Sequence, residues 1–153
     1  MSNQLSAAGM VQDEVILGYL GRALSYELSA VQQYLSLSSL LLIKGMPDLS
    51  VRFKNEAQDE LQHAERIIGR IIALGFAPNA SHLRPAKLNG SLSQLIEHVI
   101  GLEHEIIAFY ERAVEYCIQA NDDENRIFFA ALLSEEKEHA NHVNSLWQTS
   151  IKH

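Results

Sequence analysis

Asp59–Ile67 reads DELQHAERI and Glu135–Val143 reads EEKEHANHV. Each stretch contains Glu-x-x-His: Glu60 with His63, and Glu136 with His139. On a helix, residues three apart lie side by side on one face. Here that face is otherwise apolar. Phe53, Glu56, Glu60, His63, Ile67, Ile71 and Leu74 follow one another by threes and fours, as do Phe129, Leu132, Glu136, His139, Val143 and Leu146. An acid and an imidazole therefore stand twice where a helix normally buries hydrocarbon.

Two further helical stripes carry the same anomaly. Leu20, Leu24, Glu27, Val31, Tyr34 and Ser38 form one, and Leu92, Ile96, Val99, Glu103, Ile106, Tyr110 and Cys117 the other. In both, a tyrosine follows the glutamate by two helical turns. The interval from Glu27 to Glu103 equals that from Glu60 to Glu136. Within each half the lone glutamate also precedes Glu-x-x-His by one fixed interval, Glu27 to Glu60 and Glu103 to Glu136. The chain reads as two related halves, which predicts a pseudo-two-fold axis.

No stretch alternates with the period of a strand, so the class is all-α. Gly45 and Pro47 stop the first helix, which spans about residues 13–43, with residues 1–12 expected as a flexible N-terminus. Asp48 or Ser50 caps the second, which reaches Gly75. The third runs from Ser91 to about Ala120, and the fourth from about Asp123 to near the end. Short connections make each pair an antiparallel hairpin. The middle link, residues 76–90, is long enough to span about 50 Å, more than the roughly 42 Å of a 28-residue helix. It can make the second and third helices parallel. The expected fold is a single domain over residues 1–153, a four-helix bundle with one long crossover between helices 2 and 3.

Composition narrows the function. A net charge of −7 is no footprint for nucleic acid and favours cations. The N-terminal MSNQLSAAGM has no secretory pattern, and YLSLSSLLLI is too short and serine-rich to span a bilayer. One cysteine, Cys117, excludes an internal disulfide and a thiolate cluster. These features point to a cytoplasmic address, with neither nucleic acid nor membrane as partner.

Four carboxylates brought together in a core could not all remain ionised without compensation. Two dications would balance four negative charges, and two imidazoles would complete the coordination. Glu27, Glu60, His63, Glu103, Glu136 and His139 match the ligand pattern of carboxylate-bridged dinuclear sites in helical bundles: one Glu from each of two helices, and Glu-x-x-His from the other two. The oxygen-rich set suits iron or manganese, and zinc would also bind in vitro. The rival reading is a metal-free interaction bundle with solvated Glu and His side chains.

The segments YELSAVQQYL, DELQHAERI, GLEHE and SEEKEHANHV resemble those of the bacterioferritins, within the ferritin-like superfamily, and the resemblance runs from about Val11 to Trp147. It implies a di-iron ferroxidase that oxidises Fe2+ with O2 or H2O2 for iron storage and detoxification. By resemblance Glu27 and His63 serve one iron, Glu103 and His139 the other, and Glu60 and Glu136 bridge. Tyr34 matches a family tyrosine that supplies an electron, its alternative being a plain core tyrosine. The resemblance further implies a homo-oligomer, at least a dimer and up to a cage.

Two departures stand out. Leu61 occupies the place of the family's haem-ligating methionine, so no haem is expected from this chain alone, though a haem-binding sister subunit would fit. The stretch after His139 is only long enough to finish the fourth helix, so no fifth helix is expected. Asn55 replaces a histidine used by some relatives for iron on the inner surface, and Glu56 and Asp59 beside it read as solvated acids. Cys117 reads as an inert core thiol. His82, His98, His104, His142 and His153 read as surface histidines. Trp147 closes the fourth helix, either in the bundle end or at a subunit contact. A non-storage di-iron enzyme, a peroxide scavenger or a monooxygenase, is the alternative function.

Overall fold

The computed structural model describes the backbone of residues 7–151 and the side-chain surroundings of residues 14–148. Four helices follow in order: α1 (Ala7–Ile43), α2 (Pro47–Ala73), α3 (Leu92–Gln119) and α4 (Asp123–Ile151). Among the described residues there is no strand. α1 begins inside the stretch expected as a flexible N-terminus, and residues 1–6 lie outside the described residues.

Three helices end in the same way. Met46 N–H reaches the Leu41 carbonyl, Phe76 that of Ile71, and Asp122 that of Cys117. Each closes the six-to-one bond that satisfies orphan carbonyls at a helix C-terminus. The left-handed residue this bond requires is Gly45, Gly75 or Asn121. Ser91 starts α3 with a capping box, its hydroxyl accepting from Gln94 N–H while the Gln94 side chain accepts from Ser91 N–H. α2 starts differently from expectation. Met46 is its N-cap and Pro47 fills the first turn, where a missing N–H is harmless. Ser50 does not cap. Its hydroxyl donates to the Ser38 carbonyl while that of Ser38 donates to the Ser50 carbonyl, which locks α1 to α2 near their connection.

α1 packs on α2, α3 on α4, and α1 on α3. The crossover joins the far ends of the two hairpins. It is fixed by a ladder on α1: Ser25, Ser29 and Gln33, each one helical turn on from the last, accept from the backbone N–H of His82, Arg84 and Lys87. Gln33 also donates to the Lys87 carbonyl. Because the rungs advance in the same direction on both segments, the crossover runs parallel to α1, and α2 and α3 are parallel to each other. Arg70 near the end of α2 bonds Asn125 and Glu124 at the start of α4, so these two helices run antiparallel.

The apolar stripes fill the interior at both ends. Leu20, Ile67, Ile71, Phe109, Phe129 and Val143 are among the fully buried residues. Phe53 and Tyr34 stack close to mid-bundle, with ring centroids 5.9 Å apart. No helix among the described residues is long and apolar enough to cross a membrane.

Candidate metal centre

Mid-bundle, where the four stripes meet, hydrocarbon gives way to charge. Glu27, Glu60, Glu103 and Glu136 are fully buried, and His63 and His139 are nearly so. Their donor atoms form two overlapping groups, each with all atoms within 4.8 Å of one another. One holds Glu27, Glu60, His63 and Glu136, and the other Glu60, Glu103, Glu136 and His139. Glu60 and Glu136 belong to both.

His63 Nδ1 lies 2.9 Å from Glu136 and 3.6 Å from both Glu27 and Glu60. His139 Nδ1 touches Glu60 and lies 3.3 Å from Glu103 and 3.9 Å from Glu136. The outer nitrogen of His139, Nε2, touches Glu56 on α2, and Nδ1 of His142 touches the other oxygen of the same carboxylate. Two tyrosines complete the surround. Tyr34 OH donates to Glu103 at 2.6 Å, and Tyr110 OH donates to Glu27 at 2.7 Å.

Electrostatics follow from this crowding. Burial, and then the charges of Glu27, Glu103 and Glu136, push Glu60 well above the usual carboxylate range. Burial raises Glu103 to about 7 against the opposing hydrogen bond of His139. Burial would also raise Glu27, but hydrogen bonds with Glu60 and His63 outweigh it and hold that carboxyl low. Burial alone would lower both imidazoles. Hydrogen bonds to Glu136 and Glu27 instead raise His63 to about 10, and those to Glu103 and Glu136 raise His139 to about 11. In the absence of cations, protons on these groups would offset part of the crowded charge.

That compensation is incomplete. Eight buried side-chain atoms among the described residues form no well-aligned hydrogen bond, several of them although they touch a neighbour: Glu27 Oε2, Glu56 Oε2, both oxygens of Glu60, Glu103 Oε2, Glu136 Oε2 and both nitrogens of His139. All eight belong to this cluster or to Glu56 beside it. An unsatisfied buried polar atom costs about 1–3 kcal/mol, against a typical domain stability of about 5–15 kcal/mol. A set of this size in one place fits bound cations, and the four carboxylates match the charge of two dications with neutral imidazoles.

The site opens between α2 and α4. Asp59, Gln62, His63, Glu135, Glu138, His139 and His142 line a cavity of about 290 Å³ there, an acidic mouth that leads to the histidines.

The chain belongs to the ferritin-like family, whose domain model matches residues 17–150, and within that family to the bacterioferritins. It is 27% identical to a bacterioferritin of Rhodobacter capsulatus over 89% of this chain and 84% of that one. It is 30% identical to a bacterial ferritin of Synechocystis, covering 82% and 81%. A crystal structure of the Rhodobacter capsulatus bacterioferritin, described as having a metal-free dinuclear site and a haem iron, superposes with a TM-score of 0.82 at 27% identity, covering 87% of this chain and 83% of that one.

All six expected ligands and Tyr34 come together. Two expectations need correction, those for Glu56 and His98. Glu56 is buried, not a solvated acid, although Asp59 and Asn55 are exposed. His142 is exposed as expected, and it is also tied to Glu56 in the site's outer layer. His98 is half-buried, and burial lowers its pKa. His82 and His104 are exposed, Cys117 is buried, Trp147 packs partly buried on the core, and His153 lies outside the described residues. Sequence reasoning also gave Tyr110 no role, though its place in the repeat opposite Tyr34 was the available signal.

Proposed function

We propose that the protein is a ferroxidase, oxidising Fe2+ to Fe3+ with O2 or H2O2 for iron storage and detoxification. The observation that carries this reading is the two overlapping donor groups, sharing two carboxylates, in which nearly all the orphaned buried polar atoms reside. Fe2+ is the substrate. Glu27 and His63 would hold one ion and Glu103 and His139 the other. Glu60 and Glu136 would bridge, keeping the pair about 3.5–4 Å apart so that one oxidant meets both. Manganese or zinc would occupy the same donors in vitro.

The chain's own groups set the conditions. Tyr34 and Tyr110 each fix one carboxylate oxygen by hydrogen bonding, which leaves the other free for a metal. Protons on His63 and His139 leave as cations enter. The apolar residues above and below the site exclude water, so charge interactions there are strong. Tyr34 would give an electron to the site beside its hydrogen bond to Glu103, which supports that role.

The chain acts as a homo-oligomer, at least a dimer and up to a cage in which ferric product collects. Leu61, on the exposed side of α2, offers no donor atom, so haem would come only with a sister subunit. Mixing the protein with Fe2+ under air and following ferric absorbance tests the function. Oxidation faster than in buffer, lost in Glu136→Ala, is expected, whereas a rate equal to buffer refutes it. Native mass then separates storage from a dimeric enzyme.

A further inference from the structure

Tyr34 and Tyr110 occupy equivalent places in the two halves, each fully buried and each donating to a glutamate of the cluster. Their surroundings differ. Tyr34 stacks on Phe53 and faces His139, both beside the site. Tyr110 touches Phe109 and Phe129, with centroids 5.8 and 6.3 Å away. Both of those rings touch Tyr19, at 5.7 and 6.3 Å. Tyr19 touches Tyr116 at 5.6 Å, and Phe109 touches Tyr26 at 5.2 Å. Four of the chain's five tyrosines therefore lie in one continuous ring network. It starts at a hydrogen bond to Glu27 and ends at Tyr19, Tyr26 and Tyr116, all partly exposed.

We propose that Tyr110 is a second electron-donating tyrosine, and that this ring network passes its oxidising equivalent to the surface. The inference rests on the ferroxidase reading with O2 as oxidant. Complete reduction of O2 needs four electrons. Two Fe2+ ions supply two, and Tyr34 and Tyr110 supply one each: O2 + 2 Fe2+ + 2 TyrOH + 2 H+ gives 2 Fe3+ + 2 TyrO• + 2 H2O. Two of the four protons leave the phenols along their hydrogen bonds to Glu103 and Glu27, and two come from solvent. With Tyr34 alone the count stops at three.

The radical on Tyr110 is then refilled by an electron from Tyr19, Tyr26 or Tyr116, tunnelling past phenylalanine rings that are not themselves oxidised. Arg22 sits over Tyr19 and Arg84 over Tyr26, at 5.0 and 5.2 Å from the ring centres. A guanidinium there opposes positive charge on the ring, so oxidation must release the phenolic proton, which a partly exposed hydroxyl can do. A one-electron reductant in solution, such as a thiol, finally quenches the surface radical.

The test uses the full chain loaded with Fe2+, mixed with O2 and frozen for electron paramagnetic resonance. Tyr34→Phe should retain a tyrosyl signal, and the Tyr34→Phe/Tyr110→Phe double variant should lose it. A nitroso spin trap should mark Tyr19, Tyr26 or Tyr116 in Tyr34→Phe, and the double variant should lose that adduct too. A silent Tyr34→Phe that still oxidises Fe2+ overturns the proposal, as does an adduct found only on other residues. Co2+, which is not oxidised, provides a control for folding and positioning. Tyr110→Phe gives up one hydrogen bond to Glu27 and so should bind Co2+ more weakly but in the parent's stoichiometry, and loss of a bound ion would reduce Tyr110 to holding Glu27 in place. A parent that oxidises no Fe2+ defeats the ferroxidase reading and this proposal together, which separates the two failures.

Discussion

The α1–α2 and α3–α4 hairpins carry the same donors and differ one layer further out. Glu27, Tyr34, Phe53, Glu60 and His63 have counterparts, at one constant interval along the chain, in Glu103, Tyr110, Phe129, Glu136 and His139. By the same interval the equivalent of Glu56 is Leu132, and the equivalent of Arg66 is His142. Glu56 is buried against the outer nitrogen of His139 and holds His142. Leu132 is equally buried but has nothing to offer His63. Arg66 reaches across to Glu135 in a half-exposed ion pair at the cavity mouth. The repeat is kept where buried charges meet and broken in the layer directly behind them. A carboxylate behind an imidazole fixes the ring and makes it a stronger donor, so the two metal positions should be unequal.

The largest expected effect removes what the halves share. Glu136 belongs to both donor groups, so Glu136→Ala should weaken Co2+ binding by more than about 100-fold, beyond what an outer partner's loss costs. Calorimetric titration checks it. Binding close to that of the parent would mean that the buried acids are not ligands at all.

Protons give the next largest effect. His63 and His139 start from an ordinary 6.5 and rise to about 10 and about 11. In the metal-free protein their contribution to stability is complete below 6.5 and lost as pH rises through 10 and 11. Glu103, raised from 4.5 to about 7, adds stability that is full below 4.5 and lost as pH climbs to 7. Metal must displace the two imidazole protons together with those that Glu60 and Glu103 hold near neutral pH. Binding there should therefore release more than two protons per metal pair, and affinity should rise more than about 100-fold per pH unit. A pH indicator in weakly buffered solution measures the release. The melting temperature of the metal-free protein should fall as the medium turns strongly alkaline, and that of the loaded protein should hold.

Much of this was legible in the residues. A glutamate on an apolar stripe shows in the helical period, and a connection spanning residues 76–90 shows its reach, so the bundle, its crossover and the six donors could be read directly. The second layer could not. Whether Glu56 meets His139 depends on how far α2 stands from α4, which no single helix encodes. The same limit hid the serine and glutamine ladder on α1, because Ser25, Ser29 and Gln33 look like ordinary polar residues until the crossover lies against them. Pro47 reads as a helix stop yet fills a first turn, a position that tolerates it equally well.

Glu56→Leu copies the environment of His63 onto His139 and tests the inequality directly. One of two Co2+ binding steps should weaken by about 10–100-fold, the usual effect of losing such a partner, and Glu56→Gln, which keeps an acceptor, should lose less. If both steps shift equally, Glu56 acts on the site as a whole, and the two positions are alike.

The smallest effect belongs to the other flank. Arg66 and Glu135 are 39% and 45% exposed, so their ion pair is screened and is worth at most about 1 kcal/mol. Arg66→Ala should barely move the melting temperature. It does remove a fixed positive charge from the mouth of an acidic cavity, so cation entry on that side should become slightly faster at low salt, with the gain vanishing as salt screens the field. Stopped-flow Co2+ uptake measures this. His142→Ala on the opposite flank should not speed entry, because the Glu56 carboxylate it frees lies beside the path and holds the incoming ion. If the two variants speed uptake alike, charge alone governs the mouth, and the difference between the halves is confined to the buried layer.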